Sequence, residues 1–191
     1  MQIKKAIIRD AQAMHRIHTK AVSTTCKNFY TKKQIAAWLE GRSPEGYHEG
    51  IQKGEMYVAE DKGEIVGFGH AIPGEVVAVF VDPDFHNQGI GKLLLGYGLK
   101  IASKNHQKVK VESTINAESF YKKQGFVKVK ENIVIKKGEK LRMVILEFLV
   151  QGFFISNDSI ILQPAPPQSA VSPTVNHGVE ASDPHTWAAP L

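Results

Sequence analysis

Val79-Phe-Val-Asp-Pro-Asp-Phe-His-Asn-Gln-Gly-Ile-Gly-Lys-Leu-Leu-Leu95 is a run that changes character twice. It closes an apolar strand, Val76 to Val81, and passes through Pro83 into a turn holding Gly89 and Gly91. An apolar-periodic segment, Leu93 to Ala102, follows at once. A strand, a glycine turn and a helix in that order present backbone N–H groups to an anion. The first N–H groups of a helix have no internal acceptor, and the helix dipole adds partial positive charge there. Glycine allows close approach, because no Cβ intervenes.

Spacing separates the loops that use this device. A Walker-type loop needs glycine at position 86 and Ser or Thr at 93, where His86 and Leu93 stand. A dinucleotide fingerprint starting at Gly89 needs glycine at 94, where Leu94 stands. The triplet Val79-Phe80-Val81, then Asp82-Pro83, then Gly89-Ile90-Gly91 resembles the coenzyme A pyrophosphate loop of the GNAT acyltransferases. That family usually places Arg or Gln three residues before the first glycine; His86 stands there instead.

A second block, Asn116-Ala-Glu-Ser-Phe-Tyr-Lys-Lys-Gln-Gly-Phe126, is similar to a second GNAT block of Asn, Phe-Tyr and Gly-Phe. Its residues alone give a short amphipathic helix, with Asn116 as N-cap and Gly125 just past the end. The resemblance spans about residues 3–149. It implies a mixed α/β (α+β) fold, with a mostly antiparallel sheet of six or seven strands and about four helices. It implies acetyl-CoA as acyl donor, with no metal. It assigns the pyrophosphate to the backbone of Asn87, Gln88, Gly89, Ile90, Gly91 and Lys92. The thioester arm goes to Val79, Phe80, Val81, Asn116 and Tyr121, and a coenzyme phosphate to Lys123. A strand bulge near Phe80 or Val81 is expected to free an N–H for the oxyanion.

The implied reaction is acetyl transfer to a primary amine. An alkylammonium has a pKa of roughly 10 and must lose a proton before attacking. Glu75, at the start of the strand entering the loop, is the expected general base, and alternation sets it on one face with Val77, Val79 and Val81. Tyr121 is the expected acid for the leaving thiolate. Phe29, Tyr30, Trp38 and His70 are expected at the acceptor, with Tyr47, Glu45 and Glu49 nearby. A small-molecule amine is the expected acceptor. A protein N-terminus or lysine, and a non-catalytic acyl-CoA sensor, are the alternatives.

Composition bounds the rest. The chain has 191 residues, 42% of them hydrophobic, and a net charge of +5. All 24 Lys and Arg fall before residue 151, and the remainder carries only Asp158, Glu180 and Asp183. A basic body suits a polyphosphate ligand. Lysines alternate with apolar residues in Lys108-Val-Lys-Val111 and Val127-Lys-Val-Lys130, which reads as the solvated face of strands rather than a nucleic-acid site. No apolar run is long enough to span a bilayer. The start of the chain lacks signal-peptide character, and Cys26 is the only cysteine, so a cytoplasmic protein without disulfides is expected, as monomer or homodimer. His15 and His18 lie one helical turn apart without a third ligand, which argues against a metal. Six of the nine prolines lie beyond residue 150. Residues 1–149 are therefore expected to form the domain, and 150–191 a disordered or appended extension.

Overall fold

A computed structural model describes residues 1–150. Residues 151–191 of the expected extension lie outside the described residues. The domain runs β1 (Gln2–Lys5), α1 (Ala11–Thr25), α2 (Lys32–Leu39), α3 (His48–Gln52), β2 (Met56–Asp61), β3 (Glu64–Ile72), β4 (Glu75–Val81), α4 (Ile90–Ala102), β5 (Lys108–Thr114), α5 (Glu118–Lys123), β6 (Val127–Lys136) and β7 (Glu139–Leu149). The seven strands form one sheet in the order β1-β2-β3-β4-β5-β7-β6. Every pairing is antiparallel except β4 with β5.

Local chemistry fixes the joints. The Lys62-Gly63 and Lys137-Gly138 turns have positive φ at both residues, the conformation that matches strand twist in two-residue hairpins. Thr31 and Gln34 form a reciprocal capping box at α2, with bonds of 3.2 and 2.8 Å. Asp10 precedes α1, but its carboxylate accepts from Ile7 N at 3.0 Å and does not cap the helix. Gly125, at φ 90°, ends α5 as expected, with Phe126 N donating to Tyr121 O at 3.1 Å. Asn116 is not that helix's N-cap. It lies inside a 3-10 turn, Ile115–Ala117, and Ala117 holds the cap position.

Two apolar layers cover the sheet. Met14, Ile17, Ala21 and Val22 of α1 pack on Phe68, Ala78 and Phe80. Leu94, Leu95 and Leu99 of α4, with Tyr121 of α5, pack on Tyr57, Val76, Val79 and Val81. Simple alternation along β4 fails here. His70 pairs with Ala78 while Ala71 pairs with Val76, so Val77 is an extra residue. This bulge flips the parity: Val76 shares the α4 face with Val79 and Val81, and Glu75 no longer does. The bulge sits at Val77, not at Phe80 or Val81.

Tyr57 threads between two glycines. A Cβ on Gly69 would lie 2.3 Å from the Tyr57 ring, and one on Gly98 2.2 Å from Tyr57 Oη. That hydroxyl is buried without a hydrogen-bond partner. Gly98→Ala should therefore destabilise by about 1–3 kcal/mol through overpacking, despite alanine's better helix propensity. Tyr57→Phe removes the clashing oxygen, so Gly98→Ala introduced into Tyr57→Phe should be neutral or stabilising. Urea unfolding of the four proteins in a double-mutant cycle measures this directly.

Candidate functional site

The site begins where β4 and β5 part. They share one bridge, Glu75 with Lys110, supported by Lys110 N donating to Gly74 O at 2.9 Å. Beyond it the strands diverge. Asp82 N donates to Val66 O at 2.9 Å, and Val66 precedes the Gly67–Val81 pair. Antiparallel alternation then directs the N–H groups of Phe80 and Ala78 toward β3, and those of Val81 and Val79 toward the gap. Of the three expected strand residues, Val79 and Val81 turn backbone N–H groups to the gap. Phe80 packs inward, its ring 4.1 Å from His18 and stacked 5.1 Å from Phe68.

The gap leads to the glycine turn. Gly89 is the α4 N-cap at φ 79°, a conformation glycine adopts without strain, and Asn87 also has positive φ at 62°. The first bond of the ladder runs from Leu93 N to Gly89 O at 3.1 Å, so preceding N–H groups at the helix start are free for an anion. Asn87, Gln88, Gly89 and Lys92 are exposed, while Ile90 is buried and anchors the turn. His86 turns its Nε2 to Val81 O at 3.2 Å. The side chain standing where the family usually has Arg or Gln thus braces the turn against the end of β4.

The carboxylate of Asp82 fixes this junction to α1. It is 2% exposed, accepts from Lys20 Nζ at 2.7 Å and Asp84 N at 3.1 Å, and has Arg16 at 4.0 Å. Burial pushes its pKa up, but the Lys20 and Asp84 hydrogen bonds and the two cations outweigh that and hold it below the ordinary value.

On the α4 side of the gap, Tyr121 is fully buried and edge-on to Phe120 and Phe126. Its hydroxyl has no hydrogen-bond partner, and burial raises its pKa, so it stays protonated. Asn116 Oδ1 accepts from Cys26 Sγ at 3.5 Å, while its buried Nδ2 has no partner. Two orphaned polar groups in the block that the resemblance assigns to a thioester arm fit a polar ligand there, because such groups are costly when left unmet. Cys26 is a buried thiol whose pKa burial pushes up to about 12.

A family model for an acetyltransferase (GNAT) domain matches residues 26–146. The chain belongs to the GNAT acetyltransferase family. It is 29% identical over 138 residues to an uncharacterized N-acetyltransferase, YafP, of Escherichia coli (strain K12), covering 72% of this chain and 89% of that protein. Its fold matches a GCN5-related N-acetyltransferase structure from Rhodopseudomonas palustris at TM-score 0.73 and 22% identity, over 78% of this chain and 95% of the other. It also matches the PaiA N-acetyltransferase of Thermoplasma acidophilum in complex with coenzyme A, at TM-score 0.62 and 21% identity, over 78% and 98% of the two chains.

The other expected residues of this acetyltransferase scatter. Glu75 sits at the closed end of the gap, 3.3 Å from Lys110. Lys123 is exposed on α5. Tyr30 donates to Arg142 O at 2.5 Å and accepts from Ile115 N at 3.2 Å. Trp38 is buried edge-on against it. Phe29 is exposed, and His70 lies beside Glu55 at 3.3 Å, near Gly50. His15 and His18 turn to different partners, Arg42 O at 3.2 Å and Tyr47 Oη at 2.8 Å.

Sequence reading missed a further carboxylate, Glu112. Register puts it two residues past the β4–β5 bridge, opposite Ile145, on the face away from Val109 and Val111. It is 6% exposed and accepts from Asn132 Nδ2 at 2.6 Å. Lys108 and Lys110 share its face and are exposed, as the alternating pattern suggests. The strand passes under cover only at its C-terminal half, which a pattern cannot reveal. The one available signal was an acid closing a run of alternating lysines.

Asp82→Asn should lower stability by about 1–3 kcal/mol at pH 7, because a buried partner of Lys20 is lost. Since the native pKa is depressed, this contribution is present above the unfolded value near 3.9 and disappears as pH falls through the native one. Unfolding curves of the two proteins should therefore converge below about pH 3.9.

Proposed function

We propose that this acetyltransferase moves the acetyl group of acetyl-CoA to the primary amine of a small molecule. The observation that carries the reading is the parting of β4 and β5 ahead of the α4 N-terminus, together with the buried and unmet Tyr121 Oη and Asn116 Nδ2. An extended pantetheine arm adds to the free edge of β4 at Val79 and Val81 as a short strand does. The pyrophosphate then falls on the N–H groups of residues 87–92. The basic body of the chain favours such a ligand.

Chemistry follows from the same placement. The acceptor loses a proton, its nitrogen attacks the thioester carbonyl carbon, and the C–S bond breaks as the tetrahedral intermediate collapses. A protonated Tyr121 is suited to hand its proton to the thiolate, since burial disfavours its own ionisation. Glu75 and Glu112 are the carboxylates near the gap that can accept a proton from the amine. Glu75 shares its charge with Lys110.

Thiol release from acetyl-CoA, followed with a panel of small amines, tests the reading. Acceptor-dependent release is expected. Coenzyme binding with silence across the panel would favour a non-catalytic acyl-CoA sensor, and release only with peptides would assign a protein amine. Tyr121→Phe should lower kcat by about 10- to 1,000-fold with coenzyme affinity within about twofold. An unchanged kcat would remove Tyr121 from proton transfer.

A further inference from the structure

Two carboxylates, Glu75 and Glu112, flank the gap between β4 and β5, and their surroundings differ. The strands are joined at Glu75 and Lys110. From that bridge, two residues along β5 reach Glu112. Along β4, with Val77 as the bulged extra residue, the same two rungs reach Ala78. Ala78 and Phe80 belong to the layer under α1, and alternation turns Glu112 away from Val109 and Val111 of the α4 layer. Glu112 and Ala78 therefore stand level on one face, on opposite lips of the opening. Glu75 lies behind them at the closed end.

Glu75 already has a cation, Lys110 Nζ at 3.3 Å. Glu112 is 6% exposed; its Oε1 accepts from Asn132 Nδ2 at 2.6 Å, and its Oε2 takes no hydrogen bond from the described residues. Asn132 reaches it because Met143, its register partner, lies in the layer under α1 and α2. The charged groups of the neighbouring strands are engaged elsewhere or held off. Lys108 pairs with Glu147 at 3.3 Å, and Lys128 and Arg142 pair with Glu131 at 3.0 and 3.1 Å. Lys130, in the same row through Ile145, is exposed. Lys136, four residues on from Asn132, feels Glu112 without making an ion pair with it. From the helical side come His18, Cys26 and Tyr30, which burial keeps uncharged near neutral pH, and the apolar residues Ile35, Trp38 and Leu39 of α2. A covered carboxylate with no cation beside it is costly, and a substrate ammonium is the partner that relieves the cost.

We propose that Glu112, rather than Glu75, is the general base for the acceptor amine, and that Asn132 is its positioning residue. A pantetheine arm that starts at residues 87–92 and runs back past Val81 and Val79 brings its thioester to the level of Ala78, where Glu112 stands. The acceptor ammonium comes to Glu112 Oε2 from the α1–α2 face, and Glu112 takes one proton. The freed nitrogen attacks the thioester carbonyl carbon. The C–N bond forms, and the C–S bond breaks as the tetrahedral intermediate collapses. Tyr121, in the layer on the opposite face, gives its proton to the departing sulfur, and the second amine proton restores it. Glu112 then releases its proton to water, so the products are the N-acetylated amine and free coenzyme A. Asn132 Nδ2 holds Oε1 and leaves Oε2 for the amine. The base is thus carried by β5, across the opening from the strand to which the family resemblance assigns it.

The proposal rests on the acetyl-transfer reading, and its test separates the two. Thiol release from acetyl-CoA is followed for the full chain with spermidine, phenethylamine, L-lysine amide and a lysine peptide, from acid to alkaline pH. With the best of these acceptors, Glu112→Gln should lower kcat about 100-fold or more with coenzyme affinity within about twofold. It should also abolish the acidic limb of the kcat/KM pH profile. Glutamine keeps the shape and still accepts from Asn132, so the fold is preserved. Turnover of this variant should climb as pH rises toward the amine's own pKa, because free amine then forms without a base. Glu75→Gln should keep the acidic limb. Asn132→Leu should move that limb to higher pH, since a hydrogen bond that favours the charged carboxylate is lost. A merely structural Asn132 would change stability and leave the limb where it is. An unchanged kcat in Glu112→Gln, a limb that disappears with Glu75 instead, or a limb unmoved in Asn132→Leu overturns this inference while sustaining acetyl transfer. Silence with every amine, with acetyl-CoA bound, overturns both.

Discussion

A strand pair with a single bridge imposes the constraint on which the site depends. Backbone N–H and C=O groups that leave a sheet must find other partners. After the Glu75–Lys110 bridge, β4 and β5 have none in each other. The Val77 bulge turns β4 so that its apolar residues still satisfy two layers while its free edge faces the opening. The antiparallel β3–β4 pairing on one side and the β5–β7 pairing on the other keep the opening from closing. An elongated ligand with its own amide groups is the natural complement to such an edge.

The rest of the architecture serves that opening. Asp82, held by Lys20 of α1, and His86, bonded to Val81 O, fix the turn between β4 and α4 from two directions. Tyr57, lodged between Gly69 and Gly98, brings α4 close over the sheet and so sets where its N-terminus points. Tyr30 ties the end of α1 to β7 and to the turn before α5. Tyr30 and Trp38, both expected at the acceptor, pack edge-on against each other in the layer under α1 and α2.

Much of this was legible in the sequence, because local chemistry writes it there. The paired turns at Lys62-Gly63 and Lys137-Gly138, the Thr31 cap, Gly125 after α5 and the Gly89 turn all depend on residues adjacent in the chain. What escaped depends on contacts between distant segments. The Val77 bulge reverses the facing of Glu75 and is set by β3, not by β4 itself. Glu112 is covered in part because β7 and then β6 pair beyond its strand, which brings Asn132 to its carboxylate from twenty residues away in the chain. A pattern of alternating lysines cannot tell which half of a strand is roofed.

The backbone edge of β4 is where a bound coenzyme is most directly detected. Backbone amide resonances and hydrogen exchange, measured with and without coenzyme A, read it residue by residue. Val79 and Val81 amides should shift and become more protected on binding, together with amides in residues 87–92, while Ala78 and Phe80, bonded to β3, change little. Unchanged protection at Val79 and Val81 with coenzyme saturating would contradict a ligand laid along the parted strands.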